Sequence, residues 1–183
     1  MKGWRRALDV GANVGIFSCD FAKRFEEVVA FEPVPRTREC LVRNVPANVR
    51  VEPFAIADKE CVLKMYPTTP NSGGSFICNH PEVITPIAEI DPADTIAVDV
   101  RAIDSFEFDA VDLIKLDIQG AEYAAVVGAR ETIQRHRPVI MLEQKPFNAE
   151  SANFFKMTSR LLRSWGMVAR EKAKSDRIFI FED

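Results

Sequence analysis

The segment Asp9-Val-Gly-Ala-Asn-Val-Gly15 holds the residue pattern in this chain best suited to binding a ligand. It follows a short apolar run and precedes apolar residues at helical spacing, which predicts a strand, a tight turn and a helix. Glycine lets the backbone approach a ligand closely because it has no Cβ. The helix start offers free N–H groups and partial positive charge to a carboxylate or phosphate. A turn that binds nothing also fits this pattern.

Glu32 ends the next predicted strand, about 20 residues after the glycine turn. An acid at that place can accept hydrogen bonds from both hydroxyls of a ribose. Together with the glycine turn, Glu32 therefore predicts a cofactor that contains adenosine.

The spacing G-x-x-x-G argues against a nicotinamide cofactor, which favours G-x-G-x-x-G around its pyrophosphate. Neither Tyr66 nor Tyr123 starts the Tyr-x-x-x-Lys pair of short-chain dehydrogenases. Asp9 also suits the cationic methionine end of S-adenosylmethionine better than it suits a pyrophosphate. We therefore expect S-adenosylmethionine as the cofactor, with an NAD-dependent oxidoreductase as the less favoured alternative.

Six segments, in family order, resemble FkbM-type methyltransferases. They are Asp-Val-Gly-Ala-Asn-Val-Gly at 9–15, Ala-Phe-Glu-Pro-Val-Pro at 30–35, Ala-Ile-Ala-Asp-Lys-Glu at 55–60, Leu-Ile-Lys-Leu-Asp-Ile-Gln-Gly-Ala-Glu at 113–122, Gly128-Ala129, and Val-Ile-Met-Leu-Glu at 139–143. The resemblance covers roughly residues 7–145. It implies a class I methyltransferase fold and O-methylation of a hydroxyl, typically on a sugar or a secondary metabolite.

The resemblance also assigns roles to single positions. The loop glycines and Asn13 would line the methionine end of the cofactor, Glu32 the ribose and Ala55-Ile56 the adenine. The full set of candidate cofactor residues is Asp9, Gly11, Ala12, Asn13, Gly15, Glu32, Pro33, Ala55, Ile56 and Asp117. The carboxyl ends of parallel strands are where ligands bind in open α/β sheets, so the two arguments agree.

Asp117 is the first candidate for a general base, because an alcohol needs deprotonation to become a good nucleophile. Lys115 alternates to the same side of its strand and could orient that base or bind a substrate oxygen. Glu122 and Glu143 are further catalytic candidates. Glu122 could instead begin a helix as an N-terminal acid, and Glu143 could merely end a strand.

Two positions depart from the family pattern. Gln119 stands where an acid usually precedes the glycine of the Lys-x-Asp-x-x-Gly motif, and Cys61 stands where a glycine commonly follows the adenine segment. The first departure removes a carboxylate near the expected active site, so the substrate could differ. His80 is expected to be a surface-loop histidine, and Asn71–Phe76 is expected to form a mobile lid.

Alternating strand and helix signals predict an α/β fold of the Rossmann-like methyltransferase type, with helices on both faces of the sheet. We expect about seven mostly parallel strands, at 6–10, 27–31, 49–54, 111–117 and 138–143 and in a C-terminal antiparallel hairpin at 168–171 and 177–181, with a possible extra strand at 61–66. Helices are expected at 15–25, 35–44 and 122–135, and from Asn148 or Ser151 to Gly166. Five of the 11 prolines fall in 67–94, which predicts an irregular substrate-side loop.

At 183 residues with a net charge of −3, the chain fits one domain, 1–183, with no reason to expect nucleic acid or an anionic membrane as partner. No signal-peptide pattern occurs, so we expect a cytoplasmic protein. The four cysteines lack metal-site spacing, and no metal is expected. The expected partner is a small-molecule or glycan acceptor; a non-catalytic binding domain of the same fold stays open.

Overall fold

In the computed structural model, the described residues are 4–68, 72–78, 80–83, 90–143, 146, 148–173 and 176–182. Their strands are β1 (Trp4–Val10), β2 (Phe25–Phe31), β3 (Val49–Glu52), β4 (Ala55–Ile56), β5 (Cys61–Tyr66), β6 (Phe76–Cys78), β7 (Ile96–Arg101), β8 (Leu113–Leu116), β9 (Val139–Glu143), β10 (Met167–Ala173) and β11 (Asp176–Phe181). Their α-helices are α1 (Ile16–Phe21), α2 (Pro35–Asn44), α3 (Glu122–Val127), α4 (Arg130–His136) and α5 (Ala149–Ser164).

Seven strands form the larger sheet, in the order β3-β2-β1-β8-β9-β11-β10. Strands β1, β2, β3, β8 and β9 pair in parallel, whereas β11 runs antiparallel to both β9 and β10. The strand order reverses between β1 and β8, and an open α/β sheet binds ligands at such a switch point. The predicted α/β methyltransferase-type fold and its C-terminal antiparallel pair are confirmed.

Helices cover both faces of this sheet, because successive strand residues point to opposite sides. Ala7, Val28 and Ala30 pack on one face with residues of α1 and α2. Leu8 and Val29 pack on the other face with residues of α3, α4 and α5. Both faces are therefore apolar, as expected for parallel strands that are buried from both sides.

The predicted helix at 122–135 is two helices, α3 and α4, separated at Gly128. A Cβ on Gly128 would lie 2.1 Å from the carbonyl oxygen of Ala57, so the corner between the helices meets that backbone directly. The Asp104 carboxylate caps α4 by accepting from the backbone N–H groups of Glu131 and Thr132, at 3.0 and 2.8 Å. The break between α3 and α4 thus lets Gly128 pack directly against the backbone at Ala57. Helical periodicity in the sequence does not predict this contact.

A smaller sheet of four strands, ordered β4-β7-β5-β6, corrects the sequence prediction most strongly. Strand β6 lies within 67–94, so that segment is not irregular throughout, and β7 was not predicted at all. The predicted strand at 49–54 ends at Glu52, and the extra strand expected at 61–66 belongs to this second sheet. Val34, Ala57 and Ala124 join the buried cluster beneath it.

Candidate functional site

A cleft of about 590 Å³, including its open mouth, lies at the carboxyl ends of β1, β2 and β8. One wall comes from the larger sheet and the loops that follow its strands, and the other from the smaller sheet. The lining residues are Val10, Gly11, Asn13, Phe31, Glu32, Pro33, Phe54, Ala55, Ile56, Met65, Gly73, Ser75, Ile77, Asp117, Ile118 and Gln119.

The glycine loop closes against the end of β8. Gly11 has φ +77°, and a Cβ there would lie 2.0 Å from the carbonyl oxygen of Asp117. The backbone N–H groups of Gly11 and Ala12 both donate to the carbonyl oxygen of Phe31, at 3.2 and 3.0 Å. The loop is therefore fixed by main-chain contacts on two sides, and Gly11 is required by space as well as by conformation.

Glu32 is 6% exposed and lines the cleft at the end of β2. Its two carboxylate oxygens accept backbone hydrogen bonds from Asn13, at 3.0 Å, and from Val34, at 2.9 Å. Burial raises the pKa of Glu32, while these two N–H donors oppose that rise. Glu32 therefore ties the glycine loop to β2, and each oxygen retains a lone pair for a ligand hydroxyl.

The smaller sheet supplies the apolar side of the cleft. Ala55 and Ile56 of β4 line it, with Met65 from β5 and Ile77 from β6 opposite. Because β6 was not predicted, Ile77, which this strand brings to the cleft, was missed. Strand β7 was missed as well, although none of its residues lines the cleft. Strand alternation in Ile96–Arg101, where buried and exposed residues alternate in part, was the available signal for β7.

Asp117, Gln119 and Glu143 form a hydrogen-bonded cluster at the end of the cleft. The side-chain amide of Gln119 donates to Asp117 Oδ1 at 3.0 Å and to Glu143 Oε2 at 2.9 Å. Burial, followed by the hydrogen bond and the charge of Asp117, raises the pKa of Glu143 to about 7. Two carboxyls this close favour a state in which one of them keeps a proton.

Lys115 connects this cluster to the glycine loop. Its ammonium group lies 3.0 Å from Asp9 Oδ1 and 3.7 Å from Asp117 Oδ2, and it donates to the carbonyl oxygen of Gly11 at 3.4 Å. Asp9 is fully buried and also accepts from the Ser18 hydroxyl at 2.6 Å. Lys115 and Asp117 thus lie on the same side of the sheet, and the ammonium group of Lys115 lies between the carboxylates of Asp9 and Asp117.

Glu122 is 2% exposed and binds its own loop. Its carboxylate accepts from the backbone N–H groups of Ile118 and Gly120, both at 3.0 Å. Burial raises the pKa of Glu122 to about 7. This placement favours the interpretation that Glu122 is an acid at the start of a helix. Its carboxylate stabilises the turn that carries Gln119, where φ is +52°.

A second cleft of about 370 Å³ adjoins the first and shares Asp117 with it. Its lining residues are Phe17, Lys115, Leu116, Asp117, Met141, Glu143 and Asp176. Burial raises the pKa of Asp176, and the charge of Asp117 adds to that rise. Three carboxylates and one aromatic ring thus surround a space next to the first cleft.

The structure sorts the candidate residues into three groups. Those that line the first cleft are Gly11, Asn13, Glu32, Pro33, Ala55, Ile56 and Asp117. Lys115 and Glu143 line the second cleft instead. Asp9, Ala12, Gly15 and Glu122 support the surrounding loops and are not among the lining residues of either. Gly15, with φ +95°, precedes α1.

His80 is not at the surface, which corrects the sequence expectation. Its side chain is 2% exposed, and its Nε2 lies 2.9 Å from Asp58 Oδ1. Its Nδ1 accepts from the backbone N–H of Glu82 at 3.1 Å. His80 therefore fastens the segment after β6 to the turn after β4. Asn71, the first residue of the predicted lid, lies outside the described residues.

The sheet order, the glycine turn and the acid at the end of β2 define a class I methyltransferase fold. Comparison with protein families matches residues 9–168 to the family described as Methyltransferase FkbM domain. The chain therefore belongs to the FkbM methyltransferase family, as the sequence motifs indicated. A search of curated proteins found no match.

Solved structures share the fold at low sequence identity. The methyltransferase FkbM from Methylobacillus flagellatus KT is 18% identical, with a TM-score of 0.64 over 97% of this chain and 44% of the other. The chain thus spans less than half the length of that structure. The magnesium protoporphyrin IX methyltransferase from Synechocystis PCC 6803, with bound SAM, is 9% identical, with a TM-score of 0.50 over 98% of this chain and 71% of the other.

No helix among the described residues is long and apolar enough to cross a membrane. Within the same residues, no group of three or more His, Cys, Asp or Glu side chains is placed to hold a metal ion.

Proposed function

We propose that this chain is an S-adenosylmethionine-dependent methyltransferase that methylates a hydroxyl of a sugar or secondary metabolite. The observation that carries the proposal is the joint position of Glu32 and Asp117 at the two ends of one cleft. An acid suited to a ribose and a carboxyl suited to an alcohol proton thus face a single small-molecule space. Membership of the FkbM methyltransferase family supports the same reaction class.

The residues present fit the cofactor. Gly11 leaves no room for a side chain between the loop and β8, so the backbone itself borders the cleft. Glu32 would accept from the ribose hydroxyls, Ala55 and Ile56 would border the adenine, and Asn13 would lie toward the methionine end. When bound, S-adenosylmethionine supplies an activated methyl group on a sulfonium. The acids near the cleft suit that positive charge.

Asp117 is the proposed general base, acting together with Glu143. Because the pKa of Glu143 is about 7, Glu143 can hold near neutral pH a proton that Asp117 takes from an alcohol. Lys115, 3.7 Å from Asp117, would hold that carboxylate in position. Proton acceptance by such a base contributes on the order of 10²–10⁴-fold to a rate.

The acceptor hydroxyl is proposed to enter from the second cleft, which shares Asp117 with the first. Phe17 is 38% exposed and lines this cleft, with the Lys115 ammonium 4.9 Å from its ring centroid. Carboxylates are acceptors for hydroxyl donors, so Asp117, Glu143 and Asp176 suit a molecule with several hydroxyls. This supports a sugar or a hydroxylated metabolite as acceptor.

Calorimetric titration with S-adenosylhomocysteine and with NAD tests the cofactor proposal. We expect binding of S-adenosylhomocysteine and none of NAD; binding of NAD alone would overturn the proposal. Glu32→Ala should weaken S-adenosylhomocysteine binding by about 10-fold or more, since it removes a charged acceptor and the tie to Asn13. Glu52→Ala is the matched control.

Glu52 ends the neighbouring strand β3 and pairs with Arg50 at 2.9 Å, but it does not line the cleft. Glu52→Ala should change the affinity for S-adenosylhomocysteine less than twofold. Equal losses in both variants would show a general effect of acids at this edge and would contradict the ribose assignment. Urea unfolding of each variant separates loss of binding from loss of folding.

A further inference from the structure

Positive charge is concentrated in one part of this acidic chain. Residues 144–177 carry eight lysines and arginines against three acids, a net charge of +5. The remainder carries 16 lysines and arginines against 24 acids, a net charge of −8. A charge asymmetry of this size within one chain points to an anionic partner for the positive part.

Within this part, a groove of about 880 Å³, including its open mouth, runs between α5 and the start of β11. Its lining residues are Pro146, Ala152, Phe155, Lys156, Ser159, Arg160, Arg163 and Arg177. Lys156, Arg160 and Arg163 are spaced by four and three residues, so they lie on one face of α5. Arg177 faces them from β11, and the four cations border a single concavity.

In the part of the chain that the structure describes, none of these four cations forms an ion pair with an acidic side chain. Some surface arginines elsewhere are paired: Arg50 lies 2.9 Å from Glu52, and Arg170 lies 2.6 Å from Glu182. Among the described residues, no acid lines the groove. The groove therefore keeps an uncompensated positive potential, which attracts negatively charged ligands.

The apolar floor of the groove and its arginines indicate which class of ligand it could bind. Phe155 is 9% exposed and gives the groove an apolar base. Arginine guanidinium groups bind phosphate oxygens in pairs of parallel hydrogen bonds, and three of the four cations are arginines. The groove shares no lining residue with the two clefts of the proposed active site.

We propose that this groove binds a small molecule that carries a diphosphate or two phosphate groups. The part of the groove that can hold water-sized molecules measures about 430 Å³, within the range of small-molecule sites, and four cations suffice to neutralise a diphosphate. An apolar floor between cations suits a ligand with an uncharged body next to its phosphates. The inference does not depend on the proposed methyl transfer, since a separate set of residues carries it.

Inorganic pyrophosphate is the probe for the test, titrated calorimetrically into the full chain with and without saturating S-adenosylhomocysteine. We expect binding in both cases, because the groove is separate from the glycine loop. Arg160→Glu/Arg163→Glu should weaken it at least tenfold. The control, Arg36→Glu/Arg43→Glu, makes the same charge change at exposed arginines of α2 and should alter it less than twofold.

Three results would overturn the proposal. One is equal weakening in both double variants, which would show an effect of net charge alone. Another is loss of pyrophosphate binding when S-adenosylhomocysteine is present, which would place the anion at the glycine loop. The last is binding of a single-stranded RNA through Arg160 and Arg163 with no binding of pyrophosphate. If the Glu variant does not fold by circular dichroism, Arg160→Gln/Arg163→Gln replaces it with the same expected direction.

Discussion

The two ends of the first cleft hold their carboxylates in opposite ways. At the β2 end, Glu32 accepts from two backbone N–H groups, and main-chain contacts fix the glycine loop. At the β8 end, Asp117 meets Glu143 and a side-chain amide. At the first end, main-chain contacts fix the binding surface in advance, which suits a cofactor that many enzymes share. The second depends on side chains, which are what a family can change to suit different acceptors.

Lys115 is the side chain that couples these two ends, so its loss should have the largest effect on stability. Lys115→Met would leave the fully buried Asp9 without its cation. Removing one partner of a buried ion pair costs about 3–5 kcal/mol. Urea unfolding measures this loss.

The double variant Asp9→Asn/Lys115→Met should recover a large part of that stability, because no unpaired buried charge remains. A double variant as unstable as Lys115→Met would show that packing of the lysine stem, rather than the ion pair, stabilises this region.

Gly11→Ala should disrupt the β2 end, since its Cβ would lie 2.0 Å from a backbone oxygen. We expect a loss of about 3 kcal/mol or more in unfolding free energy, with S-adenosylhomocysteine binding abolished. Gly166→Ala is matched to it, because Gly166 also has positive φ but nothing within 4 Å of a Cβ. That control should cost only about 1 kcal/mol. Similar losses in both would refute the close-approach argument.

Gln119 variants should act on the β8 end alone. The amide of Gln119 lowers the pKa of Glu143, so Gln119→Leu should raise that pKa. Gln119→Glu places a third carboxylate beside the pair and should raise it further. Carbon-13 NMR titration of the glutamate carboxyls measures both shifts. S-adenosylhomocysteine affinity should change less than threefold, and a loss as large as that of Glu32→Ala would break the distinction between the two ends.

Glu143 should also make stability depend on pH. Its pKa in the folded chain, about 7, lies above its ordinary value of 4.5, so the folded state holds the proton more tightly. The unfolding free energy contributed by this group is therefore present below about pH 4.5 and is lost as pH rises toward 7. Because Glu143 is only half-buried, we expect a change of about 1 kcal/mol.

Urea unfolding between pH 5 and 8 checks this dependence. Glu143→Gln should reduce the loss of stability across that interval, whereas Glu150→Gln, at an exposed residue of α5, should not. Identical pH profiles for the wild type and Glu143→Gln would contradict the shared proton.

The sequence predicted the larger sheet well, because its strands are continuous apolar runs ended by glycine, proline or acids. It also predicted that Glu32 and Asp117 lie at the carboxyl ends of their strands, where both line the cleft. It failed for β6 and β7, whose partners lie in the second sheet and whose short or alternating patterns resemble loops. From the sequence, Gln119 is only a departure from the family pattern. Its bridge between two carboxylates could not be predicted, because it depends on a left-handed turn at Gln119.

The position of β1 has a consequence for synthesis of the chain. Leu8 pairs with Val29 on one side but with Ile114 on the other, so the centre of the sheet joins residues 106 positions apart. At the ribosome, the second partner of β1 emerges only about 5–20 s after the first strand itself. Throughout that interval one edge of β1, with its backbone N–H and C=O groups, has no partner strand. During translation, the strand that leads into the glycine loop is thus open to pairing with the wrong strand, which a chaperone would prevent.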